Sequence, residues 1–189
     1  MKVIQLHQEE KQLIMLAVEN NRQAQQQIYA KFSPKMLSVC RQYIKDIHHA
    51  EDVMITGFMK VFTNLKNFEH KGSFEGWIRR IMIYECIDFL RVKKNNFNHQ
   101  DIDDVTVSEN ESVYEMEDFS VDDIQNMIDN LPDGYKMVFN LYAIEGYKHQ
   151  EIAEMLKISE GTSKSQLSHA RKLLQQQITD LKNKLNGTK

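Results

Sequence analysis

The chain has little of what breaks helices: two prolines and seven glycines in 189 residues. A sheet protein of this size needs many tight turns, and such turns draw on both residues. No sustained alternation of apolar and polar residues appears either. Apolar residues instead recur three and four apart, which points to an all-α chain. Cysteine is scarce: Cys40 and Cys86 have no C-x-x-C spacing and no neighbouring histidine. That argues against a disulfide framework or a zinc module, and predicts two buried free thiols in a reducing compartment. No run of about 18 uncharged apolar residues exists, because Arg79, Arg80, Glu85 and Asp88 interrupt the best candidate. The opening MKVIQLHQEEKQL is too polar for a signal peptide. A cytoplasmic protein, neither secreted nor membrane-spanning, is expected.

Catalytic signatures are missing as well. There is no glycine-rich phosphate loop, no nucleophile–histidine pattern and no metal-ligand spacing. No enzyme activity, cofactor or metal is therefore expected. His48 and His49 beside Glu51 and Asp52 imitate a metal cluster, but adjacent residues on a helix point to different faces.

What is there is charge in blocks. Residues 1–98 hold 15 Lys/Arg against 10 Asp/Glu, residues 99–130 hold none against 11, and residues 131–189 hold 9 against 6. Two mildly basic ends joined by an acidic connector fit two modules that meet a polyanion, or two ordinary solvated domains. The pattern divides the chain into a helical domain at 1–98, an acidic linker at 99–119 that resists packing, and a second helical domain at 120–189.

In the first module, helices are predicted over 9–19 and 22–32, with Asn20-Asn21 as break and cap. Ser33-Pro34 reads as a restart, with serine capping and proline at the first helical position. A third helix then runs to Ile44, a fourth over 50–65, and a fifth from the cap Ser73 to about Lys94. The stretch GSFEGWIRRIMIYECIDFLRVKK (72–94) carries the only tryptophan and ends in a basic run. In the second module, Ser120 with Asp123 three residues on has the form of a capping box. Val121, Ile124, Ile128 and Leu131 form the predicted stripe, and Pro132 starts a helix with Tyr135, Val138, Phe139 and Tyr142 inward.

Residues 149–178 have the pattern of a helix-turn-helix. Ile152, Ala153 and Leu156 are the predicted buried face of the first helix, and Ile158 the plug in the turn. Ser159 caps the second helix, whose apolar face is Leu167, Ala170, Leu174 and Ile178. Its opposite face shows Ser165, Ser168, His169 and Lys172, flanked by Lys164, Gln166 and Arg171. Such side chains reach base edges and phosphates when a helix enters a major groove. The bland reading is a solvated helix face.

Two segments resemble a known family. LPDGYKMVF (131–139) with HQEIAEMLKISEGTSKSQLSHARKLL (149–174) looks like the C-terminal promoter-binding domain of bacterial sigma factors, of the short extracytoplasmic-function (ECF) subfamily. HHAEDVMITGFMKVFTNL (48–65) is similar to that family's polymerase-gripping segment, and residues 72–94 to the segment that reads and opens the promoter. The resemblance spans about residues 8–180 and occurs in the family's order. It implies core RNA polymerase and promoter DNA, double-stranded and then melted, as partners. It further implies an anti-sigma or other accessory protein, and a monomer before assembly.

Carried over by position, the resemblance places upstream-element contacts on Ser159, Thr162, Lys164, Ser165, Gln166, Ser168, His169, Arg171 and Lys172. It makes the loop 67–73 a pocket for an unstacked base, lined by Phe68, His70 and Lys71 and closed by Ser73. Trp77 is either a core ring or a base platform. Arg79, Arg80, Arg91, Lys93 and Lys94 would track phosphates, with Tyr84 near the melted strand. Polymerase contact falls on Glu51, Asp52, Ile55, Thr56, Phe58 and Met59. The family usually has Gln-Glu where this chain has Ile55-Thr56, Asn at Tyr84 and Arg at His169; these departures raise the expectation of an accessory protein or strong downstream contacts. A conventional helix-turn-helix regulator and a helical adaptor are the competing readings. The first leaves 67–94 unexplained, and the second predicts no selective DNA binding.

Overall fold

A computed structural model describes residues 2–96 and 120–186, with side chains described from 9 to 92 and from 120 to 183. The predicted acidic linker, and the side chains of Lys93 and Lys94, lie outside the described residues. Eight α-helices with two short turns account for the secondary structure among the described residues: α1 (Lys2–Val18), α2 (Arg22–Tyr43), α3 (Ile47–Asn64), α4 (Phe74–Asn96), α5 (Val121–Asp129), α6 (Asp133–Phe139), α7 (His149–Leu156) and α8 (Glu160–Asn186). The chain forms two compact units, Met1–Phe89 and Leu90–Lys189.

In the first unit α2 packs against α1 and α3. Asn21 caps α2 as expected, accepting from the Ala24 N–H at 3.1 Å. The predicted restart at Ser33-Pro34 does not occur, since α2 runs unbroken through Pro34. A proline inside a helix loses one backbone bond and costs about 3 kcal/mol. Here Pro34 lies on the exposed face, while Ile28, Phe32, Met36, Val39, Cys40 and Tyr43 are all buried along one stripe. Each such side chain contributes about 1.5–3 kcal/mol on burial, so the continuous stripe outweighs the local break. An unpredicted cap starts α3, where Asp46 accepts from the His49 N–H at 2.9 Å.

α4 closes the unit against α2 and α3. Phe74 meets Phe32 edge-on at 5.6 Å, Lys35 pairs with Glu75 at 2.5 Å, and Lys60 pairs with the buried Glu85 at 2.5 Å. Ile78, Met82, Cys86 and Ile87 of the predicted apolar face of α4 are core, joined by Ile83, whereas Ile81 and Leu90, also predicted to be core, are half-buried. Cys40 and Cys86 are free, buried thiols. The hydrogen bond to Cys40, with burial, pushes the Cys86 thiol up, so it stays protonated. The buried Met82 of α4 reaches into the space at Gly57 on α3, where a Cβ would overlap Met82 Sδ and stand 2.9 Å from its Cε. Replacing a mid-helix glycine by alanine ordinarily stabilises by about 1 kcal/mol. Gly57→Ala is expected to do the reverse and destabilise by about 1–3 kcal/mol through overpacking, read from a lower denaturant midpoint. Met82→Ala should cost less in the Gly57→Ala background than alone, although the fully buried Met82 makes its truncation destabilising by about 2–5 kcal/mol in itself.

In the second unit α5, α6 and α7 all pack on α8. Ser120 and Asp123 form the expected capping box. Of the predicted stripe, Ile128 and Leu131 are buried but Val121 is 81% exposed; Met127 takes the inward position instead. Tyr142 is likewise exposed, with Val138 and Leu141 inward and Met155 rather than Ala153 buried on α7. A five-residue π-turn, Asn140–Ile144, explains the shift, since it rotates Leu141 rather than Tyr142 towards the core. Lys136 is buried, its Nζ 3.8 Å from the buried Asp129 carboxylate.

The Asp123 carboxyl is held below its ordinary value near 3.8 by the Ser120 hydroxyl and N–H. A depressed folded-state value gives stability that is complete above the ordinary value and lost as pH falls through the lower one. Acid titration followed by helix signal should therefore show α5 weakening below pH 3.8, with that step absent in Asp123→Asn.

Candidate nucleic-acid interface

The loop after α3 begins with a 3₁₀ turn, Leu65–Asn67. Leu65 anchors that turn in the core. Ser73 then caps α4, accepting from the Gly76 N–H at 3.0 Å. Between these anchors the loop borders a cleft of about 440 Å³. Phe68 and Trp77 supply its aromatic surface, and Lys71 and Arg80 its cations. Asn67, Gly72, Ser73 and Gly76 add small and polar surface.

The aromatic rings are fixed by one another. Phe68 is nearly buried and touches Phe74 at 5.1 Å, Trp77 at 5.5 Å and His70 at 4.7 Å. Trp77 stacks on Phe74 at 5.9 Å and is only half-buried. The two readings of Trp77 are thus compatible: one part of the ring packs and another lines the cleft. Of the predicted pocket residues, Phe68, Lys71 and Ser73 are brought together, whereas His70 lines a neighbouring cleft. Asn67, Glu69, Gly72 and Gly76 line the cleft although no role was assigned to them individually. Gly76 had a readable signal, three residues beyond the Ser73 cap. Arg80 also lies over the Tyr84 ring at 5.9 Å, while Arg79 and Arg91 are half-buried.

On α3, Asp52, Ile55, Thr56 and Met59 are exposed and Glu51 is half-buried. Phe58 is not on that face; it is 2% exposed and packs against Tyr29 at 4.8 Å. A side chain so enclosed presents nothing to a partner. The Thr56 hydroxyl donates back to the Asp52 carbonyl at 2.9 Å, so its one polar group is already engaged.

The helix-turn-helix is present. α7 ends at Lys157 in the left-handed conformation, φ 57°, and Ser159 caps α8 through the Thr162 N–H at 2.9 Å. The buried Ser163 bonds His149 Nδ1 at 2.9 Å and ties the helices together; in the sequence it looks like one more surface serine. Thr162, Lys164, Ser165, Ser168 and Arg171 are exposed along α8. Lys164 pairs with Glu160 at 2.7 Å, and this neighbour holds the Glu160 carboxyl below its ordinary value. Two expected contacts are partly consumed by packing. His169 stacks on Tyr135 at 5.5 Å, and Gln166 lies against Gly134. Lys172 is half-buried, and Arg171 extends over the Tyr142 ring at 5.7 Å.

Residues 28–96 match the family model for sigma-70 region 2, and residues 121–174 match that for sigma-70 region 4. The chain belongs to the sigma-70 family of RNA polymerase sigma factors. Its relatives place this sigma factor in the ECF subfamily. It is 29% identical over 163 residues to the ECF sigma factor SigW of Bacillus subtilis, covering 79% of this chain and 86% of the relative. It is 23% identical over 184 residues to the ECF sigma-E factor of Haemophilus influenzae, covering 89% and 95%. The fold is similar to that of the sigma factor RpoE from Bartonella quintana, solved with the anti-sigma factor NepR: TM-score 0.53 at 22% identity, over 82% of this chain and 96% of that one. It is similar also to CnrH, solved with the cytosolic domain of CnrY: TM-score 0.50 at 18% identity, over 90% and 97%. The sigma factor directs promoter recognition and transcription initiation, and proteins of this kind are initiation factors rather than catalysts. Among the described residues no helix is long and apolar enough to cross a membrane.

Proposed function

We propose that the Phe68–Trp77 cleft captures an unstacked base of the non-template strand and so traps the opened promoter. The observation that carries this reading is the cleft's chemistry: aromatic rings fixed by packing, with Lys71 and Arg80 at the same site. A π-face binds any base at about 1–3 kcal/mol, and neighbouring cations neutralise phosphates. Ser73 and the two small glycines keep the cleft open, and phosphate contact is the role proposed for Arg79, Arg91, Lys93 and Lys94. Tyr84, held beneath Arg80, positions that arginine.

The second role belongs to α8. Ser159, Thr162, Lys164, Ser165, Ser168 and Arg171 meet the upstream element in the major groove, with Lys172 on phosphate. His169 and Gln166 contribute by holding α8 against α6. The third role belongs to α3, where Glu51, Asp52, Ile55, Thr56 and Met59 face core RNA polymerase. RpoE was solved with an anti-sigma factor, and an anti-sigma or accessory protein is the proposed regulatory partner here. Cytoplasmic action follows from the polymerase role.

The test is transcription with matched core polymerase on genomic DNA, with RNA 5′ ends mapped. A shared two-part motif upstream of the starts is expected. Its absence with folded protein, even after cell extract is added, would overturn these assignments.

A further inference from the structure

Beyond its cap at Ser73, α4 is tied to both neighbouring helices by ion pairs. Lys35 of α2 holds Glu75 at 2.5 Å, and Lys60 of α3 holds Glu85 at 2.5 Å. The segment between those two anchors carries Trp77 and Arg80, which line the Phe68–Trp77 cleft. It also carries Tyr84, which lies against Arg80.

The anchors differ in their surroundings. The side chains of Lys35 and Glu75 are 58% and 38% exposed, and a pair so open to water contributes little. The Glu85 side chain is only 10% exposed. A carboxylate so enclosed is costly to dehydrate, and apolar side chains of similar volume would stabilise the same place as well or better. Stability therefore does not account for the pair. What an ion pair adds is direction: it is satisfied only where the two charged groups meet, whereas apolar surfaces can slide. The neighbouring part of the α3–α4 seam lacks such direction. One turn before the pair, Gly57 of α3 faces Met82 of α4. Glycine has no side chain to interlock, and methionine adapts to almost any gap. The Glu85 stem runs over the same bare backbone, its Cγ 3.7 Å from where a Gly57 Cβ would stand.

We propose that the Lys60–Glu85 pair is a positioning device for base capture: it fixes α4 against α3 in the register that presents Trp77 and Arg80 to the opened strand. Glu85 is enclosed and acts through the α4 residues before it. This inference rests on the base-capture reading of the Phe68–Trp77 cleft.

The test uses the full chain in complex with core polymerase. Its probes are non-template single strands of the mapped promoter, intact or with one abasic site, followed by anisotropy. In the wild type, an abasic site at the captured position should weaken binding about tenfold. The double variant Lys60→Met, Glu85→Leu replaces the pair by apolar side chains. Its denaturant midpoint should be no lower than that of the wild type. It should nevertheless bind the intact strand about threefold to thirtyfold more weakly, and lose little more when the base is removed. A merely structural pair would lower the midpoint or leave the abasic penalty whole. Lys60→Arg keeps the pair and should keep the penalty. Glu85→Gln, uncharged and of the same shape, guards against a double variant that does not fold, and its penalty should also shrink. A penalty as large as the wild type's, in whichever of these two uncharged variants folds, overturns the positioning role. No penalty at any position in the wild type would instead overturn the base-capture reading, and the positioning role with it.

Discussion

Trp77→Ala is expected to lower open-complex formation by about tenfold to a hundredfold, the kinetic equivalent of one lost base–aromatic stack. Trp77 is the half-buried member of the ring cluster, so truncation removes cleft surface more than core. Its partner in packing, Phe74, remains beneath Phe32 and Phe68. Permanganate reactivity of promoter thymines reads the melted strand directly. Trp77→Phe should retain most of the signal, because a smaller ring still presents a face. Association with core polymerase should stay the same in both variants, since the α3 face does not include Trp77. Full melting by Trp77→Ala, with polymerase binding intact, would show that the ring is purely structural.

Phe74→Ala should give the largest loss of stability, about 3–5 kcal/mol. Phe74 is 2% exposed and contacts Phe32, Phe68 and Trp77. Its removal leaves a cavity walled by rings on α2, the loop and α4, which cannot all collapse into it. A small domain has only about 5–15 kcal/mol in total, so much of the Met1–Phe89 unit should unfold under mild denaturant. The Leu90–Lys189 unit has its own core, in Val138, Leu141, Ile152 and Leu167, and should hold its transition. A midpoint for the first unit that barely moves would mean that the aromatic cluster is not what holds α4 in place.

The two predictions differ because neighbouring rings in one sequence segment have different surroundings. Periodicity marks Phe74, Trp77 and Ile78 as helical neighbours, and the lone tryptophan draws notice to the stretch. It does not tell which ring is enclosed. That depends on Phe32 reaching over from α2 and Phe68 returning from the loop. The same reason hides Phe58. Its place on α3 beside Ile55 and Met59 makes it look like part of a docking face, and only Tyr29, from another helix, shows it to be core.

Local chemistry by itself determined much of this protein. The all-α class follows from 3.6-residue periodicity and scarce glycine and proline. The caps at Asn21, Ser73, Ser120 and Ser159 follow from side-chain oxygens next to unpaired helix amides. The helix-turn-helix, and with it the sigma-factor resemblance, rests on residues close together in the chain. Tertiary structure alone decided the rest. It carried α2 through Pro34, where a long buried stripe outweighs one lost bond. It sank Lys136 beside Asp129, turned Tyr142 outward through a π-turn, and stacked His169 on Tyr135. It also divided the surface around Phe68 into two clefts, one of them completed by α1. Each depends on which side chain arrives from a distant part of the chain, and burial, unlike capping, is settled only by what that neighbour covers.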